Sequence, residues 1–157
     1  MSNNKLIQFT EPYITGNEET FIKDVFERNS FYGKGYYTGE CQKIIKERTN
    51  AKNVLLTDSC TSALEISALL LRDWDQKQEV ILPSYTFTST AAAFVRAGFK
   101  IIFSEINPQT MMLDIDDVAH KITSKTRAIV IVHYGGFGAN TSLFKELCEN
   151  KSIYLIE

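Results

Sequence analysis

Short apolar runs alternate with helical segments from residue 53 to the end of the sequence. The predicted strands cover residues 54–57, 79–82, 100–104, 127–132 and 152–156. The central residues of each run are apolar without alternation, which is typical of strands buried on both faces of a parallel sheet. The helices predicted between them cover about 60–72, 88–97, 114–122 and 140–149. The sequence therefore predicts an α/β fold, in which helices cover both faces of a parallel sheet.

The first 52 residues lack this alternation and form a separate N-terminal part. An irregular arm over 5–16 precedes a helix from Asn17 to about residue 29, and a second helix is predicted from residue 38 or 39. The loop 30–39 contains three glycines and four aromatic residues. Such a loop is equally consistent with recognition of a ligand or partner and with packing on its own domain. We assign 1–52 to an arm with helices and 53–157 to the α/β domain.

The second predicted helix has an apolar side. Its members, predicted to be buried, are Cys41, Ile44 and Ile45.

A polar turn links the first predicted strand of the α/β domain to its first helix. Ser59, Cys60 and Thr61 open that helix, whose first amides have no partner within the helix and carry the positive end of its dipole. Such a site suits an anion. The glycines of a dinucleotide fingerprint or a Walker A loop are absent, so a lone phosphomonoester fits better than a nucleotide. The equal alternative is that Ser59 and Thr61 only cap the helix.

Two further loops follow predicted strands and carry aromatic and polar residues. Ligands of parallel α/β sheets bind beyond the carboxyl ends of the strands, so these loops are candidates for the same site. Phe87 follows the second strand and is either a core residue or a stacking platform. His133 and Tyr134 follow the fourth strand, and His133 is either structural or part of the site. Taken together, the loops favour a site for a flat phosphorylated molecule.

Charge and hydropathy exclude several classes of partner. The chain of 157 residues has a net charge of -2 and a pI near 5.8, and its scattered lysines and arginines form no stripe for nucleic acid. No apolar run approaches the roughly 18 residues of a membrane helix. Residues 1–5 lack the apolar segment of a secretion signal. We therefore expect a cytoplasmic protein that binds neither nucleic acid nor membranes.

The cysteines give no sign of a disulfide framework or a metal site. Cys41, Cys60 and Cys148 are odd in number and far apart in the sequence, so we predict no metal ligands. Cys60 stands at a predicted helix N-terminus, where a thiolate nucleophile is stabilised. One alternative function is therefore a small α/β enzyme that uses Cys60 as its nucleophile.

Three ordered motifs, at 54–65, 80–91 and 132–136, resemble those of the DegT/DnrJ/StrS sugar aminotransferases. The resemblance extends from about Ile7 to the last residue. It implies pyridoxal 5'-phosphate as the cofactor and the large domain of the fold-type I aminotransferases, here truncated. It also implies that Ser59–Thr61 hold the cofactor phosphate and that Phe87 stacks on the pyridine ring. His133 and Tyr134 would lie on the sugar side.

The sequence departs from the family pattern at its end. In the family, an acidic partner of the pyridine nitrogen follows a strand in the context Glu-Asp-x-x-Gln, and the lysine that binds the cofactor comes later. Glu157 matches the first letter, and no lysine here stands in the family's context. We therefore assign no catalytic residue. The resemblance implies the N-terminal part of an enzyme, inactive as this chain.

Within the family, the resemblance points to members that aminate TDP-4-oxo-6-deoxy-glucose at carbon 4. It implies a sugar nucleotide and glutamate as substrates, a 4-amino-4,6-dideoxy sugar as product for a surface polysaccharide, and a homodimer. A non-catalytic module that binds phosphate or a sugar nucleotide is the alternative.

Overall fold

The computed structural model describes residues 6, 8, 10–72 and 78–157. Part of the arm predicted for 5–16 therefore lies outside the described residues. The chain divides into two compact units, 1–56 and 57–157, which we describe separately. The division predicted after residue 52 stays a prediction.

The N-terminal unit contains helices α1 (Glu18–Glu27) and α2 (Tyr36–Thr49). Asp24 of α1 accepts a hydrogen bond from the Tyr37 hydroxyl at 2.7 Å and forms an ion pair with Arg28. The Arg28 guanidinium lies 4.0 Å from the centre of the Tyr36 ring, an arrangement that favours the cation. Polar and aromatic contacts therefore join the start of α2 to α1.

Neither α1 nor α2 has a buried residue. The side of α2 predicted to be buried is exposed at Cys41, Ile44 and Ile45, so that prediction is wrong. The apolar spacing correctly indicated a helix, but helical spacing does not show whether another element covers the apolar side.

Helices and strands alternate through the second unit. They are α3 (Cys60–Leu71), β1 (Glu79–Pro83), α4 (Thr88–Arg96), β2 (Lys100–Ser104), α5 (Ile115–Lys121), β3 (Thr126–Val130), α6 (Thr141–Lys151) and β4 (Tyr154–Ile156). The strands form one parallel sheet in the order β2-β1-β3-β4. The predicted α/β fold with a parallel sheet is confirmed.

The core of the second unit lies on both faces of the sheet. On one face, α3 and α4 contribute Ala68 and Phe94, which pack with alternate residues of β1 and β3. On the other face, α5 and α6 contribute Val118 and Phe144, which pack with the intervening strand residues. Both faces of β1 and β3 are covered, which explains why these strands read as continuous apolar runs.

The strand predicted at 54–57 is wrong. Residues 53–57 form no strand, and Leu55 is 75% exposed. The Val54 carbonyl accepts a hydrogen bond from Nε2 of Gln42 at 3.1 Å rather than from a neighbouring strand. A parallel strand needs a partner for its backbone groups, and the four strands of the described sheet pair only with one another. Residues 54–56 therefore have the composition of a strand without its hydrogen bonds.

Candidate functional site

Helix α3 runs along the sheet from the carboxyl ends of the strands to their amino ends. The carbonyl of Leu71, its last residue, accepts a hydrogen bond of 2.9 Å from Nε of Arg127, next to the first residue of β3. A helix of 12 residues is about 18 Å long. Since α3 finishes beside the amino ends of the strands, its N-terminus lies towards their carboxyl ends. The carboxyl ends of the strands are where parallel sheets bind their ligands.

Ser59 caps the N-terminus of α3. Its hydroxyl oxygen accepts a hydrogen bond from the Ser62 amide at 3.1 Å, and the two hydroxyl groups lie 3.0 Å apart. The capping interpretation is thus seen directly for Ser59. Cys60 is exposed and Thr61 is half-buried. The amides of Cys60 and Thr61 precede the first bond within the helix, so an anion can share this terminus with the serine cap.

Asp58 adds a charge beside this helix terminus that the site prediction did not include. A hydrogen bond from the Ser62 hydroxyl, followed by its own amide and that of Ser59, holds the pKa of the Asp58 carboxyl below its ordinary value. The carboxylate therefore uses donors that an incoming phosphate would also seek. A phosphate at this position either replaces Asp58 on the Ser62 hydroxyl or binds without that hydroxyl group.

Phe87 stands in the loop between β1 and α4 and precedes the first residue of α4. Its side chain is 77% exposed, so the alternative of a core residue is excluded. The Phe87 carbonyl accepts a hydrogen bond from the Thr90 amide at 3.0 Å, which ties the residue to the first turn of α4. An exposed ring on a backbone held in this way can act as a stacking platform.

His133 uses both ring nitrogens within the protein. Nδ1 accepts a hydrogen bond from the Ala139 amide at 3.0 Å, and Nε2 lies 3.1 Å from Oε2 of Glu157. Because an amide can only donate, the hydrogen of the neutral imidazole lies on Nε2 and points to the carboxylate. The ring therefore ties the loop after β3 to the residue that follows β4. Glu157 was noted from the sequence only as the start of a motif, and its contact with His133 was not predicted.

Tyr134 is joined to the loop that carries Phe87. The Tyr85 hydroxyl donates a hydrogen bond of 3.0 Å to the Tyr134 hydroxyl, and the ring centres are 4.8 Å apart. This hydrogen bond raises the pKa of Tyr85 above its ordinary value. The loops after β1 and β3 thus meet, as expected for the ends of neighbouring parallel strands. The position of Tyr85 after a strand was the only sequence signal for this contact.

The cysteines differ in exposure. Cys41 and Cys60 are exposed, whereas Cys148 is buried in α6, and burial raises the pKa of its thiol to about 11. In the described ranges, no group of three or more His, Cys, Asp or Glu side chains is placed to hold a metal ion. Nor does any helix in those ranges have the length and apolar character needed to cross a bilayer.

A family model for the DegT/DnrJ/EryC1/StrS aminotransferases matches residues 12–157. GDP-perosamine synthase of Vibrio cholerae is 28% identical over 152 residues, which are 97% of this chain and 41% of that protein. The dTDP-4-dehydro-2,3,6-trideoxy-D-glucose 4-aminotransferase of Saccharopolyspora spinosa is 29% identical over 97% of this chain and 40% of its own length. The chain thus spans about 40% of these relatives.

Solved structures share the fold. Helicobacter pylori PseC, an aminotransferase of pseudaminic acid biosynthesis, superposes with a TM-score of 0.87 at 22% identity, over 96% of this chain and 40% of PseC. The neighbours have the fold-type I architecture. They include an E coli GDP-4-keto-6-deoxy-D-mannose-3-dehydratase with bound hydrated PLP and a Bacillus subtilis protein with bound PMP, both under 25% identical to this chain. The predicted resemblance in fold is confirmed.

Proposed function

The chain belongs to the DegT/DnrJ/EryC1/StrS aminotransferase family, and we propose that it forms the phosphate-binding part of a sugar-nucleotide aminotransferase. The observation that carries this proposal is the position of the α3 N-terminus. Its residues Ser59–Thr61 lie towards the carboxyl ends of β1 and β3. A phosphomonoester fits the two leading amides and the hydroxyl groups around them. Pyridoxal phosphate, the cofactor of the family, carries such a group.

The remaining candidate residues fit the other parts of this cofactor and its substrate. Phe87 offers an exposed ring for stacking on a pyridine. When bound, pyridoxal phosphate supplies the electron sink needed for amino-group transfer. Tyr134 keeps a half-exposed ring and hydroxyl, and we place it on the sugar side. His133, with both nitrogens engaged, would serve that side by holding the loop that presents Tyr134.

We propose a sugar nucleotide and glutamate as the substrates. TDP-4-oxo-6-deoxy-glucose would be aminated at carbon 4, and the product would serve a surface polysaccharide. Support comes from the relatives, whose names describe a GDP-perosamine synthase and a dTDP-sugar 4-aminotransferase. We further propose a homodimer in the cytoplasm, as the family resemblance implies.

The first test is binding of pyridoxal phosphate to the 157-residue chain, followed through backbone amide resonances. We expect shifts at residues 59–62, and we expect Thr61→Ala to weaken binding by about 1–2 kcal/mol, the scale of one charge-assisted hydrogen bond. Thr49→Ala, an exposed threonine of α2, is the matched control and should leave binding unchanged. Resonances of 59–62 that stay unmoved at millimolar ligand would refute the phosphate site.

The second test concerns turnover. We expect no transamination by the 157-residue chain alone, because none of its lysines stands in the family's context. Loss of a covalent group and a proton shuttle removes several orders of magnitude in rate. The chain is incubated with pyridoxal phosphate, glutamate and TDP-4-oxo-6-deoxy-glucose, and the amino sugar is followed by mass spectrometry. Product formed faster than with free cofactor, with a borohydride-stable adduct on one lysine, would contradict this expectation.

A further inference from the structure

A cleft of about 500 Å³ opens between the loops that follow β2 and β3. We call it the β2–β3 cleft. Residues 109–112 form one wall, and Tyr134, Gly135, Phe137 and Gly138 form the other. Tyr134 belongs both to this cleft and to the tyrosine pair with Tyr85. The cleft is therefore continuous with the candidate site, yet it contains none of the residues expected to hold the cofactor.

The first wall is a turn fixed by hydrogen bonds. Oδ1 of Asn107 accepts from the amides of Gln109 and Thr110 at 2.9 and 3.2 Å. The Asn107 carbonyl accepts from the amide of Met111, and its own amide donates to the carbonyl of Met112, both at 2.8 Å. Met111 adopts a φ of +60°, which is uncommon for a residue other than glycine. The wall thus has a defined shape.

The second wall is fixed in a similar way. The Phe137 amide donates to the Tyr134 carbonyl at 3.0 Å, and His133 accepts from the Ala139 amide. Gly135 and Gly136 take φ values of +62° and +86°, which glycine adopts without strain. This turn leaves the Phe137 side chain 72% exposed at the cleft. Stacking another flat apolar group on such an exposed ring is favourable, because it removes apolar surface of both rings from water.

The lining is chemically selective. The side chains that face the cleft are thioether, aromatic, hydroxyl and amide groups, and the Tyr134 phenol is the one ionisable group among the described lining residues. A sugar nucleotide has an anionic diphosphate, a polar sugar and a flat neutral base. A diphosphate needs cations or a helix N-terminus, and the described part of the chain places neither at the cleft. A sugar needs many polar partners, whereas a base needs a stacking surface and a few amides for its edge. The lining matches the base.

We propose that the β2–β3 cleft binds the nucleobase of the sugar-nucleotide substrate, an inference that rests on the proposed function. Phe137 stacks on the base, the flexible Met111 adapts to its outline, and the Gln109 amide donates to and accepts from its edge. Tyr134, between cleft and cofactor site, then faces the sugar portion of the same molecule.

The test uses the 157-residue chain and nucleosides without phosphate: thymidine, uridine and guanosine. At millimolar concentration at least one should shift the amide resonances of 109–112 and 134–138. Phe137→Ala should weaken that binding at least about tenfold, the scale of a lost base stack. Phe103→Ala, which removes another exposed phenylalanine outside the cleft, should leave it unchanged. Because Phe137 is exposed, the variant should keep the fold, which its amide spectrum verifies.

Two results would overturn the proposal. One is the absence of cleft shifts with all three nucleosides, and the other is an equal cleft response to deoxyribose 5-phosphate alone. Pyridoxal phosphate added to the same sample reports separately at residues 59–62. Shifts there without a nucleoside response refute the base site and keep the proposed function. A nucleoside response in the cleft without shifts at 59–62 supports the base site and counts against the cofactor.

Discussion

The α/β unit buries apolar side chains on both faces of its sheet, whereas the described helices of the N-terminal unit bury none. Both regions have apolar residues at helical spacing, for example Phe94 in α4 and Phe26 in α1. Phe94 is fully buried against the sheet, and Phe26 is 65% exposed with an edge-on contact to Phe31. The same residue type therefore has a different energetic role in the two regions, because only one of them supplies a covering layer within the described chain.

The largest expected difference is between Phe94→Ala and Phe26→Ala. Phe94→Ala removes a ring from the core and should lower the free energy of unfolding by about 3–5 kcal/mol. Phe26→Ala removes an exposed ring and should change it by less than about 0.5 kcal/mol. Chemical denaturation of both variants, followed by circular dichroism, measures the two values. An equal cost at the two positions would show that α1 is covered in solution and that both units bury their apolar helix sides.

The comparison also shows what the sequence could predict. The runs that became β1, β2, β3 and β4 were recognised by their apolar residues, and the prediction held because each run pairs with a neighbouring strand of the sheet. Residues 54–56 have the same apolar character, yet they form no strand. Apolar composition indicates that a segment favours burial. It does not indicate whether a neighbouring strand is available to pair with that segment.

The candidate site divides in the same way. The opening of α3 at Cys60 and the Ser59 cap followed from local signals, a polar turn before helical spacing. The contacts of Tyr85 with Tyr134 and of His133 with Glu157 join residues 49 and 24 positions apart. Such pairs depend on strand order and loop course, which a single sequence does not encode in any local pattern.

A second difference between the regions concerns pH. Asp117 of α5 accepts from Lys121 and from the Ser104 hydroxyl, both at 2.6 Å, and from the Glu105 amide. The bond from Lys121, then those from Ser104 and Glu105, lower its pKa from 3.8 to about 2. In the N-terminal unit, hydrogen bonds led by the Thr15 amide lower the pKa of Glu18 from 4.5 to about 2. Glu18 binds only its sequence neighbours, whereas Asp117 joins α5 to the end of β2.

Of Asp117 and Glu18, only Asp117 should link low pH to unfolding of the sheet, because only its carboxyl bonds to a residue of a strand. Its pKa is lower in the folded state, so its contribution is present above pH 3.8 and is lost as the pH falls towards 2. We expect Asp117→Asn to remove about 1 kcal/mol of the stability at pH 6, allowing for solvent screening, and to flatten the dependence below pH 4. Glu18→Gln is the control. Denaturation at pH 6 and pH 2.5 measures both, and a flattened curve for Glu18→Gln alone would reverse the assignment.

The smallest expected difference lies at two helix starts that both carry asparagine. Asn140 caps α6 with its side-chain oxygen, which accepts from the Leu143 amide at 3.4 Å, whereas Asn17 makes no side-chain cap bond to α1. Asn140→Ala should therefore cost about 0.5–1 kcal/mol, towards the low end for a cap because the bond is long. Asn17→Ala should cost nothing measurable, since Glu18 already binds the amides of Thr15 and Gly16 before α1. Urea denaturation with each variant in parallel resolves this difference. If Asn17→Ala lowered the free energy of unfolding more than Asn140→Ala, the start of α1 would depend on the Asn17 side chain in solution. The N-terminal unit would then contribute more to stability than its exposed side chains indicate.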